Sequence, residues 1–189
     1  AGISFNNFNY SYIKNSEINA LKESSNFEPQ FIPRLSLLKK IKAMSIYATI
    51  GSGYSVPTID EVHAGNDEFN SALKAETAIN YELGFKGDII KNKLSIDAAY
   101  YLFSLQNTIV SRRDSSGGDY YTNAGKTKQN GAEIAVYYLP VNNSHLFFRT
   151  IKLSATYTSI IARFENYQQG LIKYDGNKLT GTPPNTFVL

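Results

Sequence analysis

The residues best suited to chemistry form one short stretch, Asp60-Glu61-Val62-His63. Carboxylates and an imidazole are frequent metal ligands, so this stretch could in principle hold a divalent ion. A protein metal site needs three or four ligands on a fixed scaffold, whereas this stretch offers one His in a polar segment that follows Pro57. The sequence therefore predicts a plain polar loop here and no metal site.

No set of residues predicts catalysis. A nucleophilic enzyme places its nucleophile beside a base and an orienting group, and this chain of 189 residues has two His and no Cys. Gly51-Ser52-Gly53 lacks the helix and the third glycine of a phosphate-binding loop. We therefore predict no enzyme, no catalytic residue and no cofactor.

The remaining polar candidates lie in a stretch of alternating sequence, residues 73–131, which dominates the chain. An apolar row and a polar row interleave there with a period of two, which is the pattern of a β-strand with two unlike faces. The apolar row is Ile79, Tyr81, Leu83 and Phe85, and the polar row is Asn80, Glu82, Gly84 and Lys86. Residues 94–103 repeat the pattern.

The same alternation predicts about eight strands along the chain. They are residues 2–13, 31–38, 45–54, 73–87, 94–103, 121–139, 147–162 and 184–189. The connections alternate between long (14–28, 55–73, 111–120 and 163–182) and short (39–43, 87–93 and 140–146). Long strands with short turns at one end and long loops at the other are typical of an antiparallel, up-and-down transmembrane β-barrel.

Composition agrees with this fold class. The formal net charge is +3 without a basic stripe or a recognised motif, so a nucleic-acid partner is not predicted. No run approaches the ~18 apolar residues that a spanning helix needs. The chain has 14 Tyr and 11 Phe but no Trp, and aromatic residues of this kind suit pleated surfaces and membrane interfaces. The first residues do not form a signal peptide, which is what an excised fragment would show.

Residues 46–134 closely resemble the C-terminal barrel of TonB-dependent outer-membrane receptors. The matching pieces include Asn80-Tyr81-Glu82-Leu83-Gly84, Tyr121-Thr122-Asn123-Ala124-Gly125 and Gly131-Ala132-Glu133-Ile134, together with residues 53–62, 73–79, 94–101 and 109–110. Residues 31–35 and 181–187 look similar as well, so the resemblance covers nearly the whole chain. Each piece is weak alone, and their order and spacing together are specific.

The resemblance implies a partial barrel domain over residues 1–189. Family members close a barrel of about 22 strands around a plug, so the plug domain and the final strands are expected to be absent here. The implied function is energy-coupled uptake of a scarce nutrient, most often a ferric siderophore or similar iron complex, in the outer membrane of a Gram-negative bacterium. The implied partners are outer-membrane lipid, the plug, the TonB energy-transducing complex and an extracellular small ligand. Ligand-binding residues are not assigned.

The resemblance also bears on individual residues. Glu76, Asn80 and Glu82 would lie on or near the inner face, where a solvated or salt-bridged lining is favoured over ligand contact. Asn123 and Gly125 are interpreted as turn and bulge residues. Gly131 would let the strand bend or let a neighbouring aromatic ring pack against it.

Two other architectures remain open at this point. A complete eight-stranded outer-membrane barrel, serving as an adhesin or a structural module, could close with side chains filling its interior. A soluble β-sandwich that binds a partner would bury the apolar rows between two sheets, although it would need Greek-key connections. The half-length last strand disfavours the first, and the strict alternation of short and long connections disfavours the second.

Overall fold

The computed structural model describes residues 1–13, 22–63, 69–142, 150–169 and 171–189. Eight strands form one antiparallel sheet in the order β1-β4-β5-β6-β7-β10-β11-β14. These strands are β1 Gly2–Asn6, β4 Gln30–Ile41, β5 Met44–Ser55, β6 Glu76–Ile90, β7 Leu94–Gln106, β10 Lys126–Asn142, β11 Thr150–Asn166 and β14 Asn185–Val188. Each strand pairs with the next one in this order, so the predicted succession of antiparallel hairpins is confirmed.

The pairing register confirms that the sheet has an apolar face and a polar face. Leu83 lies opposite Ala48 on one side and Tyr100 on the other, so the predicted apolar rows of three strands stand side by side. This face is open in the described part of the chain: Leu83 is 58% exposed. Its further large members include Ile3, Phe5, Phe31, Leu35, Leu37, Ile46, Ile50, Ile79, Tyr81, Phe85, Leu102, Ile134, Leu153, Tyr157, Ile161 and Phe187.

The long connections contain structure that the sequence did not predict. Three small hairpins extend beyond the sheet: β2 Asn9–Ile13 with β3 Lys22–Asn26, β8 Ile109–Arg113 with β9 Asp119–Asn123, and β12 Gln168–Gln169 with β13 Ile172–Lys173. A one-turn helix, α1, spans Ile59–Val62. All four belong to the long connections, and we call the edge of the sheet from which they extend the loop end.

Several predicted boundaries were wrong. Residues 2–13 are two strands, because β1 ends at Asn6 and the chain then leaves the sheet to form β2. Residues 121–139 are likewise divided between β9 and β10. The short connections are tighter than predicted, because β4 and β6 continue to Ile41 and Ile90. The predicted turn at 140–146 and the start of the strand at 147–162 fall partly outside the described residues.

The sheet is open. Within the part of the chain that the structure describes, β1 pairs only with β4 and β14 pairs only with β11, so two strand edges lack partners. A closed eight-stranded barrel would join β1 to β14, and a sandwich would split the strands between two facing sheets. The observed single open sheet is neither of these alternatives.

Candidate functional site

The loop end of the sheet is held together by one asparagine side chain. Asn123 Oδ1 accepts a hydrogen bond from Lys74 N at 2.8 Å, and its Nδ2 donates to Lys74 O at 2.9 Å and to Asn107 O at 2.7 Å. Three chain segments from two of the long connections therefore meet at this amide. Sequence reasoning assigned Asn123 to a turn, and the structure gives it the larger role of joining segments that are distant in sequence.

Gly125 makes the sharp change of direction between β9 and β10. Its φ is 69°, which glycine adopts without the steric cost of a Cβ, and the backbone oxygen of Asn166 occupies the place where a Cβ would lie. The prediction of turn chemistry at Gly125 is confirmed. Beside it Ala124 and Thr127 are buried, together with Leu73, so a small core lies where the loops meet the sheet.

The predicted polar loop at 60–63 is wrong in its local structure, because residues 60–62 lie in α1 and His63 is the C-cap of that helix. Thr58 and Glu61 form a capping box, in which Thr58 N donates to Glu61 Oε2 at 2.7 Å and Glu61 N donates to Thr58 Oγ1 at 3.4 Å. Glu61 is thus engaged in helix capping. Among the described residues, no group of three or more His, Cys, Asp or Glu is placed to bind a metal ion.

His63 belongs instead to an aromatic cluster that links two connections. Its ring centroid lies 3.8 Å from that of Tyr12 and 5.4 Å from that of Phe69. The rings of Tyr12 and Phe69 are nearly parallel, with centroids 6.5 Å apart. Tyr12 comes from the first small hairpin, whereas His63 and Phe69 come from the connection after β5. The cluster gives the loop end a surface of flat rings suited to stacking against an aromatic or planar ligand.

The tip of the β8–β9 hairpin is built around Asp114. Its Oδ1 accepts hydrogen bonds from Ser116 Oγ at 2.7 Å, Ser116 N at 2.8 Å and Gly118 N at 2.9 Å. These bonds, the Ser116 hydroxyl first, hold the pKa of the Asp114 carboxyl below its usual range. The loop predicted at 111–120 is therefore the tip of a β-hairpin, in which residues 114–118 form the turn between β8 and β9.

Two arginines of the same hairpin have different environments. Arg113 Nε lies 2.9 Å from Asp119 Oδ1, and this exposed ion pair lowers the pKa of Asp119. The Arg112 guanidinium carbon lies 5.3 Å above the ring centroid of the buried Tyr167, a cation–π contact with the connection after β11. Tyr167 N in turn donates to Asp175 Oδ1 at 2.8 Å. Arg112 thereby places a positive charge between two loops.

The polar face of the sheet carries the other predicted residues. Asn80 and Glu82 line an open depression of about 800 Å³ with Asp97, Tyr101 and Glu133. Glu76 lies apart from them at the loop end, where its Oε1 accepts a hydrogen bond from Ile109 N at 2.8 Å. The structure thus brings Asn80 and Glu82 together and separates Glu76 from them.

Two tyrosine rings lie across glycines on this face. A Cβ added at Gly84 would come within 2.7 Å of Tyr47 Cε1, and one added at Gly131 would lie 2.6 Å from Tyr101 Cζ. The interpretation of Gly131 as a seat for a neighbouring aromatic ring is confirmed. The equivalent role of Gly84 was not predicted, because the sequence does not reveal which strand positions face each other.

Sequence reasoning also missed Tyr12, Phe69, Arg112 and Tyr167. The available signal was weak, since aromatic residues are frequent throughout this chain. Only the placement of the small hairpins shows which of them meet.

Known proteins with the same strand architecture are found both by family and by structure. A family model described as "TonB dependent receptor-like, beta-barrel" matches residues 1–189. The siderophore receptor PiuA from Acinetobacter baumannii is 19% identical, with a TM-score of 0.68, over 98% of this chain and 27% of its own. The ferric-catecholate import receptor Fiu from E. coli K12 is 16% identical, with a TM-score of 0.63, over 98% of this chain and 28% of its own. The siderophore receptor PirA from Pseudomonas aeruginosa is 18% identical, with a TM-score of 0.59, over 77% of this chain and 30% of its own.

These matches fix the fold and the class of protein. The chain spans less than a third of the length of each of these three solved structures. The family and these structural neighbours are receptors and not enzymes, in agreement with the prediction from sequence. Among the described residues, no helix has the length and apolar character required to cross a membrane. The chain belongs to the TonB-dependent receptor family, and its eight-stranded sheet is a segment of that family's antiparallel transmembrane β-barrel.

Proposed function

We propose that this chain is part of the barrel wall of an outer-membrane receptor that takes up a ferric siderophore or similar iron complex. The domain over residues 1–189 contributes about eight neighbouring strands of a barrel of about 22. Further strands of the parent protein continue the sheet at β1 and β14, and a plug fills the barrel. The TonB complex of a Gram-negative cell supplies the energy. The small ligand arrives from outside.

One observation carries this proposal: the three small hairpins and the helix α1 that the structure describes lie at the same end of a sheet that has one apolar and one polar face. The apolar face suits lipid, because its large side chains are exposed over the full width of the sheet. The loop end suits ligand capture, because its hairpins place aromatic rings and one loop-bridging arginine at the mouth of the barrel. The match to the family over residues 1–189 supports the same assignment.

The chemistry of the loop end favours an iron chelate over an uncharged nutrient. Siderophore complexes present planar or anionic groups, which stack on rings and attract a guanidinium. Tyr12, His63 and Phe69 supply the rings, and Arg112 supplies the charge. The solved relatives PiuA and PirA are siderophore receptors and Fiu is a ferric-catecholate import receptor, which supports the same ligand class.

The test is uptake of ⁵⁵Fe supplied as catecholate or hydroxamate complexes. The full-length receptor is expressed in a Gram-negative strain that lacks its own siderophore receptors, with and without a protonophore. We expect iron to accumulate with at least one class of complex, and accumulation to stop with the protonophore. The proposal would be refuted if the receptor were absent from the outer-membrane fraction, or if iron uptake were the same with and without the protonophore.

A paired set of variants locates the ligand. Tyr12→Ala combined with Arg112→Ala should lower the affinity for the complex, because it removes a stacking ring and a cation at the loop end. Lys91→Gln combined with Lys93→Gln changes two residues at the opposite end of the sheet and should leave the affinity unchanged. Equal effects of the two pairs would contradict ligand capture by the loops. Receptor abundance in the outer membrane is the control for both.

A further inference from the structure

The end of the sheet opposite the loops is strongly basic. Its described stretches are the ends of β4, β6 and β10, the starts of β5, β7 and β11, and the turns between β4 and β5 and between β6 and β7. They contain seven lysines and one acidic residue, Asp88, apart from the strand-interior Asp97. We call these lysines the basic rim: Lys39, Lys40, Lys42, Lys86, Lys91, Lys93 and Lys152. All seven are exposed.

The rim charges are not neutralised within the described part of the chain. None of the seven ammonium groups makes an ion pair there, and the Lys152 ammonium group lies 5.0 Å from the ring centroid of Tyr137. Asp88 accepts a hydrogen bond from Asn92 N at 3.2 Å within its own turn. Lys40, Lys86 and Lys152 lie on the polar face, where Lys86 stands opposite Asp97 in the register. The charge available to an anion outside the barrel wall is therefore that of Lys39 on the apolar face and of Lys42, Lys91 and Lys93 in the turns.

The rim coincides with the end of the apolar face. Ile41, Ile89 and Ile90 are exposed at 49%, 56% and 50% and directly precede the two turns. Lys39 lies on the apolar face itself, opposite Ile46 and between Leu37 and Ile41 along its strand. A lysine in an apolar row extends its stem along that surface and places its ammonium group at the polar boundary. These positions match the headgroup layer of a membrane.

The shape of the rim disfavours a protein as the occupant. The first turn consists only of Lys42 and Ala43, and the second only of Lys91, Asn92 and Lys93. Turns of this length offer no platform for a folded partner, but they bring several ammonium groups to one level. Clustered lysines beside a membrane-embedded surface attract anionic lipids.

We propose that four lysines of the basic rim, Lys39 on the apolar face and Lys42, Lys91 and Lys93 in the turns, bind anionic phospholipid headgroups, such as phosphatidylglycerol, in the leaflet that surrounds the short turns. The inference rests on the proposed membrane location of the chain. Each lysine contributes a share of a common electrostatic attraction, so the preference for phosphatidylglycerol over phosphatidylethanolamine weakens as salt screens the charges.

The test is native mass spectrometry of the full-length receptor from detergent containing equal amounts of phosphatidylglycerol and phosphatidylethanolamine with identical acyl chains. One variant changes Lys39, Lys42, Lys91 and Lys93 to Gln. The control variant changes four lysines of the loop end, Lys22, Lys74, Lys173 and Lys178, to Gln, and so has the same net charge. We expect the rim variant to lower the ratio of bound phosphatidylglycerol to phosphatidylethanolamine about tenfold, and the control variant to leave it close to the wild-type value.

Three outcomes would overturn the inference: no lipid preference in the wild type, an equal loss in both variants, or a greater loss in the control variant. Outer-membrane fractionation of cells that express the wild type separates this failure from failure of the proposed function. If the receptor is present in the outer membrane and transports iron, yet binds both lipids equally, only the proposed lipid preference of the basic rim is refuted. Correct fractionation of both variants shows that they fold.

Discussion

The contact between Tyr47 and Gly84 predicts strong energetic coupling between two neighbouring strands. A Cβ at Gly84 would lie 2.7 Å from Tyr47 Cε1, closer than non-bonded carbons approach, and its nearest neighbours are all atoms of this one ring. Gly84→Ala must therefore displace the ring. Overpacking of this kind costs about 1–3 kcal/mol of the free energy of unfolding.

Removal of the ring should reverse the sign of that effect. In a Tyr47→Ala background the space above residue 84 is free, and Ala in a strand interior is favoured over Gly by about 0.5–1 kcal/mol. Gly84→Ala should then be neutral or stabilising. The coupling energy of the double-mutant cycle is the difference between the two effects, roughly 1.5–4 kcal/mol.

The assay is urea unfolding of the full-length receptor in lipid vesicles, with the wild type, both single variants and the double variant. Additivity of the two single effects within about 0.3–0.5 kcal/mol would refute the contact. Gly131 provides a matched control, because a Cβ there would meet Tyr101 Cζ at 2.6 Å and also the backbone oxygen of Ser159 at 2.8 Å. Tyr101→Ala should rescue Gly131→Ala only in part, since the backbone contact remains.

Four further predictions concern the faces, the ends and the edges of the sheet. Leu83→Arg, at the middle of β6 on the apolar face, should destabilise the barrel in lipid by ~2–4 kcal/mol, whereas Asn80→Arg on the polar face should be tolerated; equal assembly in cells would contradict this facing. An epitope inserted at Gly117 should bind antibody on intact cells, and one inserted at Asn92 should not. The reverse result would show that the topology is inverted. The pKa of Asp114 is lowered, so its turn should persist from neutral pH down through the ordinary carboxyl range and loosen only below it, as NMR titration of its carboxyl carbon would show. The isolated chain should associate in plain buffer through β1 and β14, and a monodisperse folded monomer in sedimentation would contradict this.

The sequence predicts the centre of the sheet well, because period-two alternation is strongest where one face meets lipid and the other water. Residues 79–86 and 94–97 alternate without interruption, and the structure pairs them in β6 and β7 with the predicted faces. The same rule fails at residues 2–13. Alternation there continues through Tyr10 and Tyr12, although the chain has already left the sheet after Asn6. A hairpin with one aromatic face has the same period as a barrel strand.

The candidate site was predicted less well, because its contacts depend on register and on tertiary placement. Gly125 and Asn123 have recognisable turn chemistry, so a break between strands could have been placed there. The meeting of Tyr12 with His63, or of Arg112 with Tyr167, joins segments about 50 residues apart in sequence, and no local pattern encodes it.

The small hairpins form sheets of their own, separate from the barrel sheet. Because of this separation, one hairpin can be exchanged for another without disturbing the barrel strands. In the part of the chain that the structure describes, β2–β3, β8–β9 and β12–β13 form sheets separate from that of the other eight strands, so the lengths of these hairpins can change without shifting the register of the barrel sheet. At Gly125, and where the chain leaves β1, the backbone turns before a new ladder begins. A lineage could therefore replace one hairpin at a time while the eight strands of the sheet, with their register, stay the same.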